Sequence, residues 1–590
     1  MDLSRRTFLR TSAYAGTAAA LAGSSAASAA GLLGGRDVPA GTVLQLAVAR
    51  PQTAAHRALL SRLDDTHAVV DGGVELLLWP GDAAALLEAG VPFTVTVPDL
   101  LARDRALEAA ASAALAGRVP GGKDDYQPLD AIYAELDELA ARRPDLARVV
   151  TLPHPSLEGR TVKGIELSRG DAGDGRPVAY FDGCHHAREW PSADYCRIFA
   201  HHLVETAGTP RTDAVLDGLL VRIVPVVNVD GYVHSFTHKG RATDNSTLGI
   251  VAGGQGAYVR KNNRVAPVDA AHAVDVAASP VGEVDPHYGV DPNRNYAYLW
   301  GGTTGGLVNI PAPAGETVPF FAQTSPNPVD QTYFGTDAFS EPDTRNTRDF
   351  FLSHAVVTYL SNHTQGRLVL RPWGHTTVPS PDDALLTELG QALSDAMRDP
   401  VNRFGPYENK IGLGLYATNG TSNDWAYAAT GTLGYVIEHS TAFHPPYTSA
   451  HAPGQQWPQV VEMFTRACEE ALRPRSHSVL TGTVTRDGAP VPARLTLTRT
   501  TATPYSRNGG VRDVGSATAR RTELTETVSL VLETDGAFTW HVNPSSRPIA
   551  ERPSGPEAYT LVAEALDGSG TTTQQVVVDR GQARELDLRL

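Results

Sequence analysis

From Tyr126 to about Pro474 the chain repeatedly sets short, mostly apolar runs against longer amphipathic ones. Residues 178–181, 220–227, 368–370 and 433–437 have strand length and lack the apolar–polar alternation of a sheet with one wet face. Residues 129–143 and 192–207 instead carry apolar side chains at helical spacing. Strands that are apolar on both faces need helices on both sides. The pattern therefore requires an α/β domain, a sheet covered by helices on both faces. Two stretches rich in Gly, Pro and Thr, 265–290 and 301–330, fit neither period and are expected as rim loops.

The 590 residues exceed one core of ordinary size, and the flanks read differently from the middle. In 43–115, apolar runs at 43–49, 74–79 and 93–97 alternate with Ala/Leu-rich stretches, which predicts a small α/β unit. The linker Gly117-Arg118-Val119-Pro120-Gly121-Gly122-Lys123 follows and is expected to be flexible and open to proteolysis. After His477, alternating Val, Thr and Leu with Asp-Gly turns at Asp487, Asp535 and Asp567 predict a β-sandwich. At the start, Arg5-Arg6, an Ala-rich stretch and Ala27-Ser28-Ala29 have the form of a twin-arginine export signal, which predicts a secreted protein. The expected division is 1–30, 31–123, 124–475 and 477–590. The net charge of −15 argues against a nucleic-acid partner, and no other segment is apolar and long enough to cross a membrane. Three cysteines, Cys184, Cys196 and Cys468, cannot all pair in one chain, so no disulfide framework is implied. A monomer is expected.

Two His-x-x-Glu segments are candidates for metal chemistry, and spacing alone does not separate them. His202-Leu203-Val204-Glu205 lies deep in the predicted helix among apolar neighbours, as an ordinary helix face would. His186-Ala187-Arg188-Glu189 instead follows the strand 178–181 through Asp182-Gly183 and precedes Trp190-Pro191-Ser192, a helix start. That is a loop at the carboxyl end of a sheet strand, where α/β proteins place their sites. An imidazole and a carboxylate three residues apart can face one point, and zinc accepts such nitrogen and oxygen donors. A catalytic zinc needs a third ligand and an open position. The run 355–360 ends in Ser361-Asn362-His363-Thr364, so His363 fits; His185, beside the first ligand, is read as a supporting or solvated group.

These segments resemble the metallocarboxypeptidases of the carboxypeptidase A and B type, and the resemblance runs from about Tyr126 to Pro474. Its carriers, in chain order, are His186-Ala187-Arg188-Glu189-Trp190, Asn228-Val229-Asp230-Gly231, Arg260-Lys261-Asn262-Asn263-Arg264 and Gly289-Val290-Asp291-Pro292-Asn293-Arg294-Asn295. Then follow Tyr333-Phe334-Gly335, Ser340-Glu341-Pro342, the His363 segment with Pro372-Trp373-Gly374, Tyr416, Ser422-Asn423-Asp424-Trp425 and Glu438. The resemblance implies the carboxypeptidase fold, a mixed twisted sheet flanked by helices, and one Zn2+ per chain, held by His186, Glu189 and His363, with Glu438 as general base and Arg260 at the developing oxyanion. It implies that Asn293 and Arg294 clamp a free terminal carboxylate, and that Arg188, Tyr416 and Asn423 are further substrate contacts. The implied activity is release of C-terminal residues from peptides or proteins.

Thr364-Gln365 and Asn423 depart from the family pattern. A neutral amide at Asn423 favours neither hydrophobic nor basic termini and points to a broad or polar-tolerant pocket. The N-terminal unit is similar to the pro-segment of the family's zymogens, and the C-terminal one to a transthyretin-like accessory domain. The alternatives are a peptidoglycan-directed metallopeptidase and a non-catalytic carboxypeptidase-like binding protein. The second conflicts with the presence of all three ligands and the base.

Overall fold

The computed structural model describes residues 43–60, 63–70, 73–100, 102, 119–170, 173–239, 259–264, 289–301, 306–311, 317–326, 328, 330–398, 406–505, 520–534, 536–548 and 556–590. The leader 1–30, Gly117-Arg118 and nearly all of 265–290 lie outside these residues.

Strands β1 (Gln45–Ala49), β2 (Asp64–Val70), β3 (Gly73–Leu78) and β4 (Phe93–Val97) form an N-terminal antiparallel sheet in the order β2-β3-β1-β4, with helices Ala54–Leu60 and Asp82–Glu88. The central domain holds β5 (Ala147–Thr151), β6 (Lys163–Leu167), β7 (Val178–Gly183) and β8 (Leu220–Val224). A two-stranded hairpin, β9 (Gly306–Pro311) and β10 (Thr317–Ala322), comes next, then β11 (Val356–Thr364), β12 (Leu368–Arg371), β13 (Glu408–Ile411) and β14 (Leu433–His439). Eight of these strands make one mixed sheet, β13-β12-β14-β11-β7-β8-β6-β5. Its middle strands, β14, β11, β7 and β8, run parallel.

The two-sided apolar pattern finds its covers on opposite faces of β7. Phe181 stacks on Phe464 of the helix Pro453–Ala471 at 4.9 Å and meets Phe199 of the helix Trp190–Glu205 at 5.1 Å. Its neighbour Tyr180 turns the other way, onto Phe350 and Phe351 of the helix Pro342–Phe351. Successive strand residues point to opposite faces, so one strand is covered twice.

Three details differ from the sequence reading. His363 lies inside β11, which runs on to Thr364, because parallel pairing with β14 continues to the Thr364–His439 pair. The stretch 301–330 contains the paired hairpin β9–β10 where a rim loop was expected; β-pairing supplies backbone partners that its irregular composition hides. Val119 is buried in the central core, Gly121 N donates to Glu205 Oε1 at 3.2 Å and Lys123 reaches Glu135 at 3.3 Å. The described end of the linker, Val119–Lys123, is thus pinned to the central domain where a flexible one was expected.

Beyond His477 there are two four-stranded β-sheets that share one apolar core, including Leu480, Leu495, Trp540 and Leu561. Asp487 and Gly488 both have left-handed φ, 51° and 81°, as a tight hairpin between Ser478–Arg486 and Ala489–Pro490 requires. Among the described residues no helix is long and apolar enough to cross a membrane.

Candidate active site

The first two candidate ligands stand where β7 ends and the helix Trp190–Glu205 begins, with Pro191 in the first turn. The Asn228-Val229-Asp230-Gly231 segment holds this loop in place. Asn228 caps the helix Val229–Thr237 by accepting from Gly231 N at 3.0 Å, while its Nδ2 donates to His185 O at 3.3 Å. A Cβ at Gly231 would stand 2.8 Å from Cβ of Ala187, so only glycine lets the turn approach the ligand loop. Register delivers the rest: β11 pairs Asn362 with Gly183 of β7 and His363 with Glu438 of β14. Chemistry carried on separate elements therefore converges at the carboxyl ends of parallel strands.

His186, Glu189 and His363 are all buried and form the one cluster of candidate metal donors among the described residues. His186 Nδ1 is 2.7 Å from Glu189 Oε1, His363 Nδ1 is 2.9 Å from Glu189 Oε2, and the two Nδ1 atoms are 3.1 Å apart. Two donors bound about 2 Å from a tetrahedral zinc ion are themselves about 3.3 Å apart, so this spacing fits one ion. Burial, then Arg260, push His186 down to about 4 against the opposing pull of Glu189 and Asp291. A neutral imidazole at physiological pH is the form that binds metal.

The opposite ring nitrogens are also held. His186 Nε2 is 3.2 Å from Asp291 Oδ1, and His363 Nε2 is 3.2 Å from Ser361 Oγ and 3.3 Å from Asn293 Nδ2. Asp291 Oδ2 also accepts from Arg260 Nε at 2.9 Å, with Nη2 of the same guanidinium in ion-pair range at 2.8 Å. Burial pushes its carboxyl up, but Arg260, His186 and Arg294 outweigh burial and hold it well below the ordinary range. His185 is fully buried, with Nε2 2.8 Å from Tyr296 Oη and Nδ1 3.3 Å from Ser361 Oγ, and its ring lies against His363. It supports the site and is not solvated.

A pocket opens beside this cluster. Its lining includes His186, Glu438, Asn293, Arg294 and Tyr416, together with Leu370, Leu415, Val436, Thr418, Thr421 and Asn423. Burial, then the charge of Glu189, push Glu438 well above the ordinary carboxylate range, against Arg260, Arg294 and Arg188. Arg294 donates from Nε to Gln323 O at 2.5 Å and from Nη1 to Asn293 O at 2.8 Å. Its Nη2 is buried and has no partner among the described residues.

Comparison with known proteins matches residues 132–459 to the zinc carboxypeptidase family, peptidase M14. This chain is a member of the zinc carboxypeptidase family. It is accordingly a zinc-dependent exopeptidase that acts at peptide C-termini. A carboxypeptidase B from Astacus astacus is 30% identical over 325 residues, 53% of this chain and 86% of the relative. A carboxypeptidase B from Helicoverpa zea is 28% identical over 361 residues, 59% of this chain and 69% of the relative. Among solved structures, the carboxypeptidase A from Helicoverpa armigera is 22% identical over 73% of this chain and 98% of its own, with a TM-score of 0.53, a likeness of fold.

Within this carboxypeptidase, not every residue singled out from sequence reaches the pocket. Arg188 is buried near it, stacked 4.3 Å over Phe443, and is absent from the pocket lining. His202 and Glu205 sit on the helix away from the metal donors, and Glu205 instead accepts from Gly121. Sequence reasoning gave Asp291 no role. Its signal was its place between Gly289 and the clamp pair, where it also caps the turn Pro292–Arg294 by accepting from Asn293 N at 2.9 Å.

Proposed function

We propose that His186, Glu189 and His363 hold a single zinc ion and that Glu438, Arg260, Asn293 and Arg294 carry out the hydrolysis around it. The observation that carries the reading is the buried, unpartnered Nη2 of Arg294 in the pocket shared by His186 and Glu438. A buried guanidinium donor with no protein partner calls for an anion to complete it, and a terminal carboxylate does so with charge-assisted bonds. That contact is what makes a hydrolase act at chain ends.

Zinc, when bound, supplies a Lewis acid that polarises the scissile carbonyl and lowers the pKa of water to about 7. Glu438 takes the proton of the attacking water and returns it to the leaving nitrogen, so the C–N bond breaks to give a free amino acid and a shortened peptide. Arg260, fixed by Asp291, donates to the oxygen that becomes negative. Arg294 and the Asn293 amide receive the terminal carboxylate, and Tyr416, with its ring 5.8 Å from the Arg294 guanidinium, flanks it. Arg188 is read as an outer substrate contact. Asn423 with Thr418 and Thr421 makes a polar-tolerant seat for the terminal side chain.

The wider reading keeps 1–30 as a twin-arginine leader for export, 31–123 as a pro-segment and 477–590 as a transthyretin-like sandwich on a monomeric catalytic domain. Support for the last comes from the shared core of the two C-terminal sheets. The test of the catalytic assignments is a pair of variants. Glu438→Gln should keep zinc at the level of the unsubstituted protein and lose about a thousandfold or more in kcat, whereas His363→Ala should lose both zinc and turnover. Full activity of the Gln variant would remove Glu438 from the mechanism.

A further inference from the structure

The helix Ser422–Thr430 has different neighbours at its two ends. Its first turn bears Asn423 and faces the pocket, and Ser422 N donates to Asn293 Oδ1 at 2.9 Å. Its last turn has carbonyl groups that no helical N–H can reach, and the C-terminal β region meets the chain just past them, at Gly431. Gly431 ends the helix in the left-handed region at φ 76°, donating to Tyr427 O at 2.9 Å; a Cβ there would stand 2.5 Å from Pro544 Cγ. The Gly431 carbonyl accepts from Arg580 Nη2. The same Nη2 lies 3.4 Å from Asp382 Oδ2, which accepts from Tyr427 Oη at 3.0 Å, and Arg580 Nη1 reaches Ser476 O at 3.4 Å. One guanidinium thus joins the end of this helix, the residue before Asp383–Ala396 and the segment leading into the C-terminal sheets. A positive group at a helix C-terminus also complements the helix dipole.

We propose that the C-terminal β region splints the substrate pocket, with Arg580 as the positioning residue that fixes the helix Ser422–Thr430 and so the pocket wall at Asn423 and Thr421. This rests on reading that pocket as the seat of the terminal side chain. Nine residues of helix span about 13 Å, a rigid lever short enough for a loosened end to move the wall. Arg580 lies well outside 132–459, the part of the chain that the family shares, so pocket shape depends on a residue beyond the catalytic domain.

The test uses the full-length, zinc-loaded protein with benzoyl-glycyl dipeptides ending in Gly, Leu or Phe. Arg580→Ala should raise KM for Leu and Phe about fivefold while leaving kcat, zinc content and KM for Gly within about twofold; Arg580→Lys should recover most of the loss. Amide hydrogen exchange over 422–430 should quicken in the Ala variant. An unchanged KM, or an equal rise for all three substrates, overturns the proposal, as does unaltered exchange. If Arg580→Ala does not fold, Asp382→Asn removes the second anchor and should give the same selective pattern in a milder form. Its absence there also overturns the proposal. No turnover of any dipeptide by the unsubstituted protein overturns the reading of the pocket, and this inference with it.

Discussion

Asp291 serves two partners at once, His186 Nε2 through one oxygen and Arg260 through the other. The carboxylate holds the ring with Nδ1 turned to Glu189 and His363, and under the proposed assignment it would also keep the guanidinium aimed at the reacting carbonyl. Asp291→Asn should weaken zinc binding by about tenfold to a hundredfold, measured by competition with a chelator, and should depress kcat beyond that loss because Arg260 loses its counter-charge. Unchanged affinity and rate would show that the contact is idle. The clustering of donors was legible in the sequence for two of the three residues, since His186 and Glu189 stand between a strand and a helix start, three positions apart. The Asp291 contact joins residues 105 positions apart, and no local pattern announces it. Arg188 shows the converse. Its motif position is clear, yet it is absent from the pocket lining, and it packs on Phe443.

At the scale of elements, the strands that hold the site were readable because burial on both faces strips them of polar alternation. Every residue of β7, β11 and β14 is buried. What the pattern did not show was where pairing stops. In β11 the residues Ser361-Asn362-His363-Thr364 look like a polar strand exit, but Asn362 Nδ2 donates to Asp182 O at 2.8 Å and its Oδ1 meets His439 Nε2 at 2.9 Å. Those buried bonds replace water and let polar residues continue a central strand. The hairpin β9–β10 escaped notice for a related reason: its pairing meets backbone needs that composition cannot report. The Val119–Lys123 segment, rich in glycine, reads as flexible because its anchors, Glu205 and Glu135, are contributed by other helices.

At the scale of the molecule, the C-terminal sheets are joined to the central domain by backbone bonds, Thr527 N to Leu352 O at 2.9 Å and His541 N to Gly175 O at 2.8 Å. Two half-buried histidines lie at this junction. Burial and Arg222 push His354 down to about 4, and burial and His477 do the same to His541. Their folded values lie below the ordinary 6.5, so the unfolded chain binds more protons between about 6.5 and 4. Stability should therefore fall as pH drops through that window and hold above it, read as Tm against pH; a flat Tm from pH 7 to 4 would contradict this. The family-level fold and the hydrolytic chemistry were legible from motif order, whereas the junction was not, since its backbone bonds use groups that any sequence carries and its side-chain contacts, such as those of Arg580, join residues far apart in the chain. The most direct test of the account is a single peptide supplied with a free and with an amidated C-terminus. The expected result is zinc-dependent release of one residue at a time from the free form and at least about a hundredfold slower cleavage of the amide, which offers Arg294 no carboxylate. Comparable cleavage of both forms would contradict the carboxylate clamp and, with it, the exopeptidase reading.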